Sequence, residues 1–192
     1  MSTVFLIGFP GCGKTTLGVE LARVMNCAFI DLDDYIERLA GQSIVNIFAD
    51  NGEDYFRRLE KKALRDLSTF DGIVACGGGT PCHDDNMELM NSMGTTVWLT
   101  TSEERIISRL CLPEHRAKRP QFATLTDEEI ATYVHNAVAQ RSPYYAQAQL
   151  QFDSTDIETA AETSVTARRL SKVLDTNLHQ SIPSNNRKLG KK

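Results

Sequence analysis

The run Gly8-Phe9-Pro10-Gly11-Cys12-Gly13-Lys14-Thr15 lies between the apolar stretch Val4-Phe5-Leu6-Ile7 and a helix-compatible segment opening at Thr16. It meets the pattern G-x-x-x-x-G-K-[ST] at every required position, in the strand–loop–helix setting that the pattern needs. Glycines let the backbone turn tightly and aim several N–H groups at one point, and a helix N-terminus adds its positive dipole end. In such a loop Lys14 reaches the β- and γ-phosphates, the Thr15 hydroxyl binds Mg²⁺, and Gly11, Cys12, Gly13 and Thr16 line the cradle. A glycine-rich turn without this role would need neither the lysine nor the hydroxyl. The chain is therefore read as binding a nucleoside triphosphate.

Other groups with chemical potential follow strands. Asp31-Leu32-Asp33 continues Ala28-Phe29-Ile30, which reads as a second buried strand. If the strand runs on this far, alternation puts both carboxylates on one face. One can help hold hydrated Mg²⁺ and the other can accept a proton or hydrogen bonds from a substrate hydroxyl, while Asp34 reads as a helix cap. Gly77-Gly78-Gly79 stops the strand Ile73-Val74-Ala75-Cys76 and suits close approach of backbone N–H groups to a ligand.

The arginines suggest what the ligand carries. Arg57, Arg58, Arg105, Arg109, Arg116, Arg119 and Arg141 recur in a chain of net charge −4, which points to small anionic ligands, because guanidinium forks pair bidentately with carboxylates and phosphates. Arg57 and Arg58 are adjacent helix positions, about 100° apart, so one of them faces solvent. The stretch from about 112 to 124, with Pro113, Pro120 and three basic residues, has the character of a lid that closes over phosphates and excludes water. Arg141, at the end of a helix before Pro143, suits either an anion or the helix dipole.

The elements that must hold these groups alternate between strand and helix. Leu17, Leu21, Val24 and Met25 form the apolar stripe of a first helix. A short helix stops at Gly41. Another, with Ile44, Ile47 and Phe48 as its core face, stops before Asn51-Gly52, and Phe56, Leu59, Ala63 and Leu67 mark a longer one. Val97-Trp98-Leu99 is a fourth strand, followed by a helix from Ser102, and Thr126 to Glu129 form a capping box. Leu150-Gln151-Phe152 is a short last strand, and a helix follows to about Leu174. The expectation is an α/β, three-layer sandwich with a central parallel sheet of about five strands, and ligands at the carboxyl ends of the strands. One domain is expected over 1–175, with a disordered basic tail over 176–192.

Composition narrows the class. At 192 residues and 41% hydrophobic content the chain suits one soluble domain with a core of its own. No apolar run approaches the roughly 20 residues of a membrane span. The first strand starts too early to leave room for a signal peptide. Five scattered cysteines without a C-x-x-C pair imply reduced thiols in a cytosol. The four histidines show no metal spacing beyond the weak neighbour pair Cys82-His83. Net negative charge disfavours a nucleic-acid binder. No nucleic-acid or membrane partner is expected, and the chain is expected to act as a cytoplasmic monomer.

Taken together, G-x-P-G-x-G-K-T, D-L-D-D, F-R-R, G-G-G, an R-P lid and Q-R-S-P-Y-Y resemble shikimate kinase in order and spacing, from about residue 4 to residue 153. The resemblance implies a P-loop NTPase fold with a substrate-binding region at about 33–60 and a lid at about 112–124. It implies transfer of the γ-phosphate of MgATP to the 3-hydroxyl of shikimate, with Mg²⁺ as cofactor. Asp33 would bind the ring hydroxyls and serve as base, Arg57 and Arg141 would grip the carboxylate, and Gly78 and Gly79 would offer backbone contacts. Asp31 would assist Mg²⁺ beside Thr15, Arg119 would contact the ATP phosphates, and Arg109 would lie near the adenine.

The chain also departs from the family pattern. It reads Asp153-Ser154-Thr155-Asp156 where the family often carries an arginine flanking adenine, so that contact falls to the backbone and Ser154. Arg116-Ala117-Lys118 is extra in the lid and leaves the choice between Arg116 and Arg119 open. The competing readings are a gluconate or nucleotide kinase and a nucleotide-dependent switch. A nucleotide acceptor would need a base-recognition pocket, of which the sequence shows no sign, and a switch would need an N-K-x-D motif, which the chain lacks.

Overall fold

The computed structural model describes residues 3–113, 116 and 122–180. In chain order the helices and strands are β1 (Thr3–Ile7), α1 (Lys14–Met25), β2 (Ala28–Asp31), α2 (Leu32–Ala40), α3 (Ile44–Asp66), β3 (Gly72–Ala75), α4 (Asn86–Met93), β4 (Gly94–Thr100), α5 (Glu103–Leu110), α6 (Asp127–Tyr145), β5 (Leu150–Asp153) and α7 (Ala160–Gln180). A short 3₁₀ turn at Thr80–Cys82 follows β3.

All of β1 is buried, because alternation divides its side chains between two cores. Val4 and Leu6 join Leu17, Leu21, Ala167 and Leu170 from α1 and α7 on one face. Phe5 and Ile7 join Ile36, Leu64, Met90, Leu110 and Val134 from α2 to α6 on the other. Each such side chain contributes about 1.5–3 kcal/mol by leaving water. A strand buried on both faces belongs in the middle of a covered parallel sheet. The order is β2-β3-β1-β4-β5, and every pairing is parallel. The three-layer α/β sandwich expected from the sequence is the observed fold, and the phosphate loop leaves its central strand.

Several elements differ from expectation. β2 is an edge strand, so Ala28 is exposed and Phe29 and Ile30 are only half-buried. It ends at Asp31, and Asp33 lies in the first turn of α2, so β alternation is not what brings the two carboxylates together. The cap of α2 is Asp31, not Asp34: its side chain accepts from the Asp33 N–H. The expected break at Asn51-Gly52 is present as a non-helical Gly52 (φ 78°) inside α3. Phe48 is 38% exposed instead of core, and its ring lies 4.8 Å from that of Phe56. α6 continues through Pro143 to Tyr145, which places Arg141 one turn inside the helix. α7 runs to Gln180, past the boundary expected at 175, and 181–192 lie outside the described residues.

Candidate active site

The phosphate loop is held by its own lysine. Lys14 is 9% exposed, and its Nζ donates to the carbonyls of Gly8 (2.8 Å) and Phe9 (3.1 Å), folding the side chain back across the loop. The Cys12 N–H closes a turn on the Phe9 carbonyl at 3.1 Å. Gly13 caps α1 in a left-handed conformation (φ 93°) that a residue with Cβ rarely adopts. No side chain caps this helix and its first turn holds no acid. The first amides of α1 are thus left for an anion, which the helix dipole also favours.

Thr15 and Asp31 meet across the loop. The Thr15 hydroxyl donates to Asp31 Oδ2 at 2.8 Å, and Asp31 Oδ1 accepts the Asp33 N–H at 3.1 Å. Start-of-helix geometry thereby turns Asp33 towards the loop. Burial raises the Asp33 carboxyl to about 6, with the negative charges of Asp31 and Glu60 adding to the rise and Lys14 opposing it. A hydroxyl and a carboxylate are hard oxygen donors, and this pair fits the small protein share of an Mg²⁺ shell completed by phosphates and water. No cluster of three His, Cys, Asp or Glu side chains suited to a metal occurs among the described residues.

Opposite the loop, the three glycines let side chains close in. A Cβ on Gly77 would stand 2.9 Å from Asp33 Oδ1, one on Gly78 2.6 Å from Pro10 Cδ, and one on Gly79 3.2 Å from Arg57 Nη2. Arg57 is held by two acids: Nη1 donates to Glu60 at 3.0 Å, and Nε and Nη2 donate to Glu53 at 3.2 and 2.9 Å. Arg58 is exposed beside Tyr55, as expected of one member of the pair. Arg141 lies over the Phe9 ring at 5.4 Å, and its Nη2 donates to the Tyr133 hydroxyl at 3.5 Å. Burial pushes the Cys82 thiol up, while the positive charges of Arg141 and Arg57 oppose the rise.

Two groups whose roles the sequence did not single out complete this wall. Glu60 is 1% exposed and accepts from both Arg57 and the Thr80 hydroxyl. The buried Tyr145 donates to the Gly78 carbonyl at 2.7 Å and so fixes the glycine turn to α6. The only sequence signals were the Arg57–Glu60 spacing of three on a helix and the second tyrosine of Q-R-S-P-Y-Y.

On the other side of the loop, Arg109 reaches the Gly11 carbonyl (2.9 Å), the Thr155 carbonyl (3.0 Å) and Glu158 (2.8 Å). Ser154, expected on the adenine, is fully buried, and its hydroxyl faces the carbonyls of Cys12 (2.8 Å) and Thr100 (3.1 Å). With no exposed surface its side chain supports the loop from behind, a correction to that expectation. Arg116 is tied to the Leu125 carbonyl (2.9 Å) and to Asp127, at the foot of α6. Arg119, with 114–115, 117–118 and 120–121 of the expected lid, lies outside the described residues. Thr16 is exposed in the first turn of α1.

A triphosphate cradle on one wall, and a carboxylate, a glycine turn and an arginine on the other, is the layout of a P-loop kinase of small anionic molecules. Comparison with known proteins narrows this class. The sequence model of shikimate kinase matches residues 10–175. A shikimate kinase of Parabacteroides distasonis is 39% identical over 175 residues, covering 91% of this chain and 100% of that protein. The crystal structure of shikimate kinase from Bacteroides thetaiotaomicron superposes with a TM-score of 0.85 at 36% identity, covering 91% of this chain and 98% of that one. Shikimate kinase from Acinetobacter baumannii, solved in complex with shikimate, gives 0.78 at 27%, covering 92% and 94%. A gluconokinase from Sinorhizobium meliloti shares the fold alone, with a TM-score of 0.52 at 14% identity and coverage of 94% and 98%. The chain belongs to the shikimate kinase family and is an ATP-dependent kinase.

Proposed function

We propose that this chain transfers the γ-phosphoryl group of MgATP to the 3-hydroxyl of shikimate, giving shikimate 3-phosphate and ADP. The observation that carries the reading is the gathering of Asp33, the Gly77–Gly79 turn and Arg57 against the phosphate loop. A polyhydroxylated ring bearing a carboxylate matches that set: hydroxyls for Asp33 and the glycine amides, a carboxylate for Arg57 and Arg141. Gly11, Cys12, Gly13, Lys14, Thr15 and Thr16 hold the phosphates, Arg109 stands on the nucleotide side, and Arg119 is the lid arginine on ATP.

In phosphoryl transfer the protein mainly positions the reactants and stabilises charge. Lys14 offsets charge spreading over the transferred group. Asp33 accepts the proton of the attacking hydroxyl and aims its oxygen in line with the leaving one. With its carboxyl at about 6, Asp33 is ionised at pH 7 and basic enough to take a proton. Thr15 and Asp31 would hold Mg²⁺, which when bound would supply charge neutralisation at the phosphates. The lid at about 112–124 excludes water so that transfer outruns hydrolysis.

The chain is further read as a cytoplasmic monomer with no nucleic-acid partner. Among the described residues no helix is long and apolar enough to cross a membrane. A coupled ADP-release assay with shikimate, gluconate and nucleoside monophosphates offered in turn tests the acceptor. Stimulation by shikimate alone is expected. Stimulation by gluconate or a nucleotide without shikimate would overturn the assignment.

A further inference from the structure

We propose that residues 154–158, between β5 and α7, position the phosphate loop, with Ser154 and Glu158 as positioning residues for the triphosphate; the proposal rests on the nucleotide half of the reading above. The loop's two outward carbonyls, Gly11 and Cys12, are each gripped by a side chain distant in sequence. Ser154 Oγ takes the Cys12 carbonyl at 2.8 Å, and Arg109 Nη1 takes the Gly11 carbonyl at 2.9 Å.

The consequence follows from peptide geometry. In a planar trans peptide the C=O and the following N–H point in opposite directions. Ser154 draws the Cys12 carbonyl towards β4 and β5, where it shares the hydroxyl with Thr100 O. The Gly13 N–H is thereby aimed the other way, among the uncapped amides of α1. The peptide joins Cys12 to Gly13 (φ 93°), so it turns on ψ of Cys12 and φ of Gly13, and the glycine side reorients at little steric cost unless something holds it. Ile157 adds a second restraint: a Cβ on Gly13 would stand 1.9 Å from Ile157 Cδ1, so Ile157 packs directly beneath that residue.

Glu158 acts through Arg109. Its Oε1 accepts from Arg109 Nε at 3.0 Å and Nη2 at 2.8 Å, and the Thr155 carbonyl takes Nη2 at 3.0 Å. These three bonds fix the guanidinium so that Nη1 meets Gly11. One short segment thus supplies a hydroxyl, a carbonyl, an apolar prop and a carboxylate, all serving the cradle from behind.

The test is titration of wild type, Ser154→Ala and Glu158→Gln with MgADP and with adenosine, together with KM for ATP and for shikimate. Loss of the uncharged hydrogen bond in Ser154→Ala, and of the carboxylate charge that holds Arg109 in Glu158→Gln, should each weaken MgADP and raise KM for ATP about three- to tenfold. Adenosine affinity and KM for shikimate should stay at the wild-type value, because the aimed amide serves phosphate. Weakening of adenosine equal to that of MgADP would place these residues on the base, and unchanged MgADP affinity would show no aiming. Either result overturns the proposal. Glu158 is 44% exposed, so Glu158→Gln leaves the core intact and keeps the test decisive if Ser154→Ala fails to fold. MgADP binding does not depend on the acceptor, so a wrong acceptor would leave this result readable.

Discussion

Glu60 holds Arg57 from the buried side: its Oε2 accepts from Arg57 Nη1 at 3.0 Å, while its Oε1 accepts from the Thr80 hydroxyl at 2.6 Å. The other edge of the same guanidinium rests on Glu53, a carboxylate 57% exposed. The two contacts differ in strength. A buried pair with both oxygens satisfied is costly to break, about 3–5 kcal/mol when one partner is removed, whereas an exposed pair contributes about 0–1 kcal/mol. Arg57 is thus fixed at Nη1, and its Nε–Nη2 edge is the one that the carboxylate of the proposed acceptor would take in place of Glu53.

Glu60→Ala should therefore destabilise the fold by about 3–5 kcal/mol and raise KM for shikimate, while Glu53→Ala should change stability by less than about 1 kcal/mol without raising that KM. Denaturant unfolding and acceptor kinetics on the two variants check the contrast. Equal effects would remove the distinction between anchor and replaceable partner.

Arg57→Ala and Arg141→Ala should each weaken acceptor binding by about 1.5–3 kcal/mol, the worth of a charge-assisted hydrogen bond. The loss should appear in KM for shikimate with KM for ATP near wild type. A loss confined to ATP would place these arginines on the phosphates.

Asp33 gives a pH dependence of definite sign. Its carboxyl stands at about 6 in the fold against an ordinary 3.8, so between those values the folded protein binds more protons than the unfolded chain. Stability contributed by this group is present below the lower value and is lost as pH rises through the upper one. Asp33→Asn should accordingly be more stable than wild type at pH 7, by on the order of 1–3 kcal/mol, with the difference vanishing at acid pH. The same variant should lose most turnover, and wild-type kcat/KM should fall about tenfold per pH unit below about 6. Thermal unfolding at two pH values and a pH–rate profile read both effects; wild-type turnover in Asp33→Asn would exclude the residue as base.

Lys14→Met should lower kcat by about 10²–10³, as expected for removing one group that stabilises transferred charge. KM for shikimate should hardly move. Steady-state kinetics with each substrate varied in turn measure the split.

The phosphate loop was legible because its pattern is local: one strand end, six loop residues and a helix start contain all of its chemistry. Asp33 was found for its neighbourhood, though by a different geometry, since no local signal distinguished a strand running on from a helix capped by Asp31. Glu60 stayed hidden because an acid between Leu59 and Lys61-Lys62 carries no local signal of burial, and its burial comes from α3 packing against the turn after β3. Ser154 lies 142 residues from Cys12, and Glu158 lies 49 from Arg109, so their part in the loop exists only in the tertiary fold. The half-burial of β2 was invisible for the same reason: strand order, not strand composition, sets which strand is the edge.

The most direct test of the acceptor is a phosphorus NMR spectrum of the purified chain with MgATP and shikimate. One new phosphate monoester should grow in step with ADP, its phosphorus coupled to the proton on the 3-carbon of the ring. ADP accompanied by inorganic phosphate alone, or a monoester at another hydroxyl, would contradict the assignment of Asp33, Arg57 and Arg141 to shikimate.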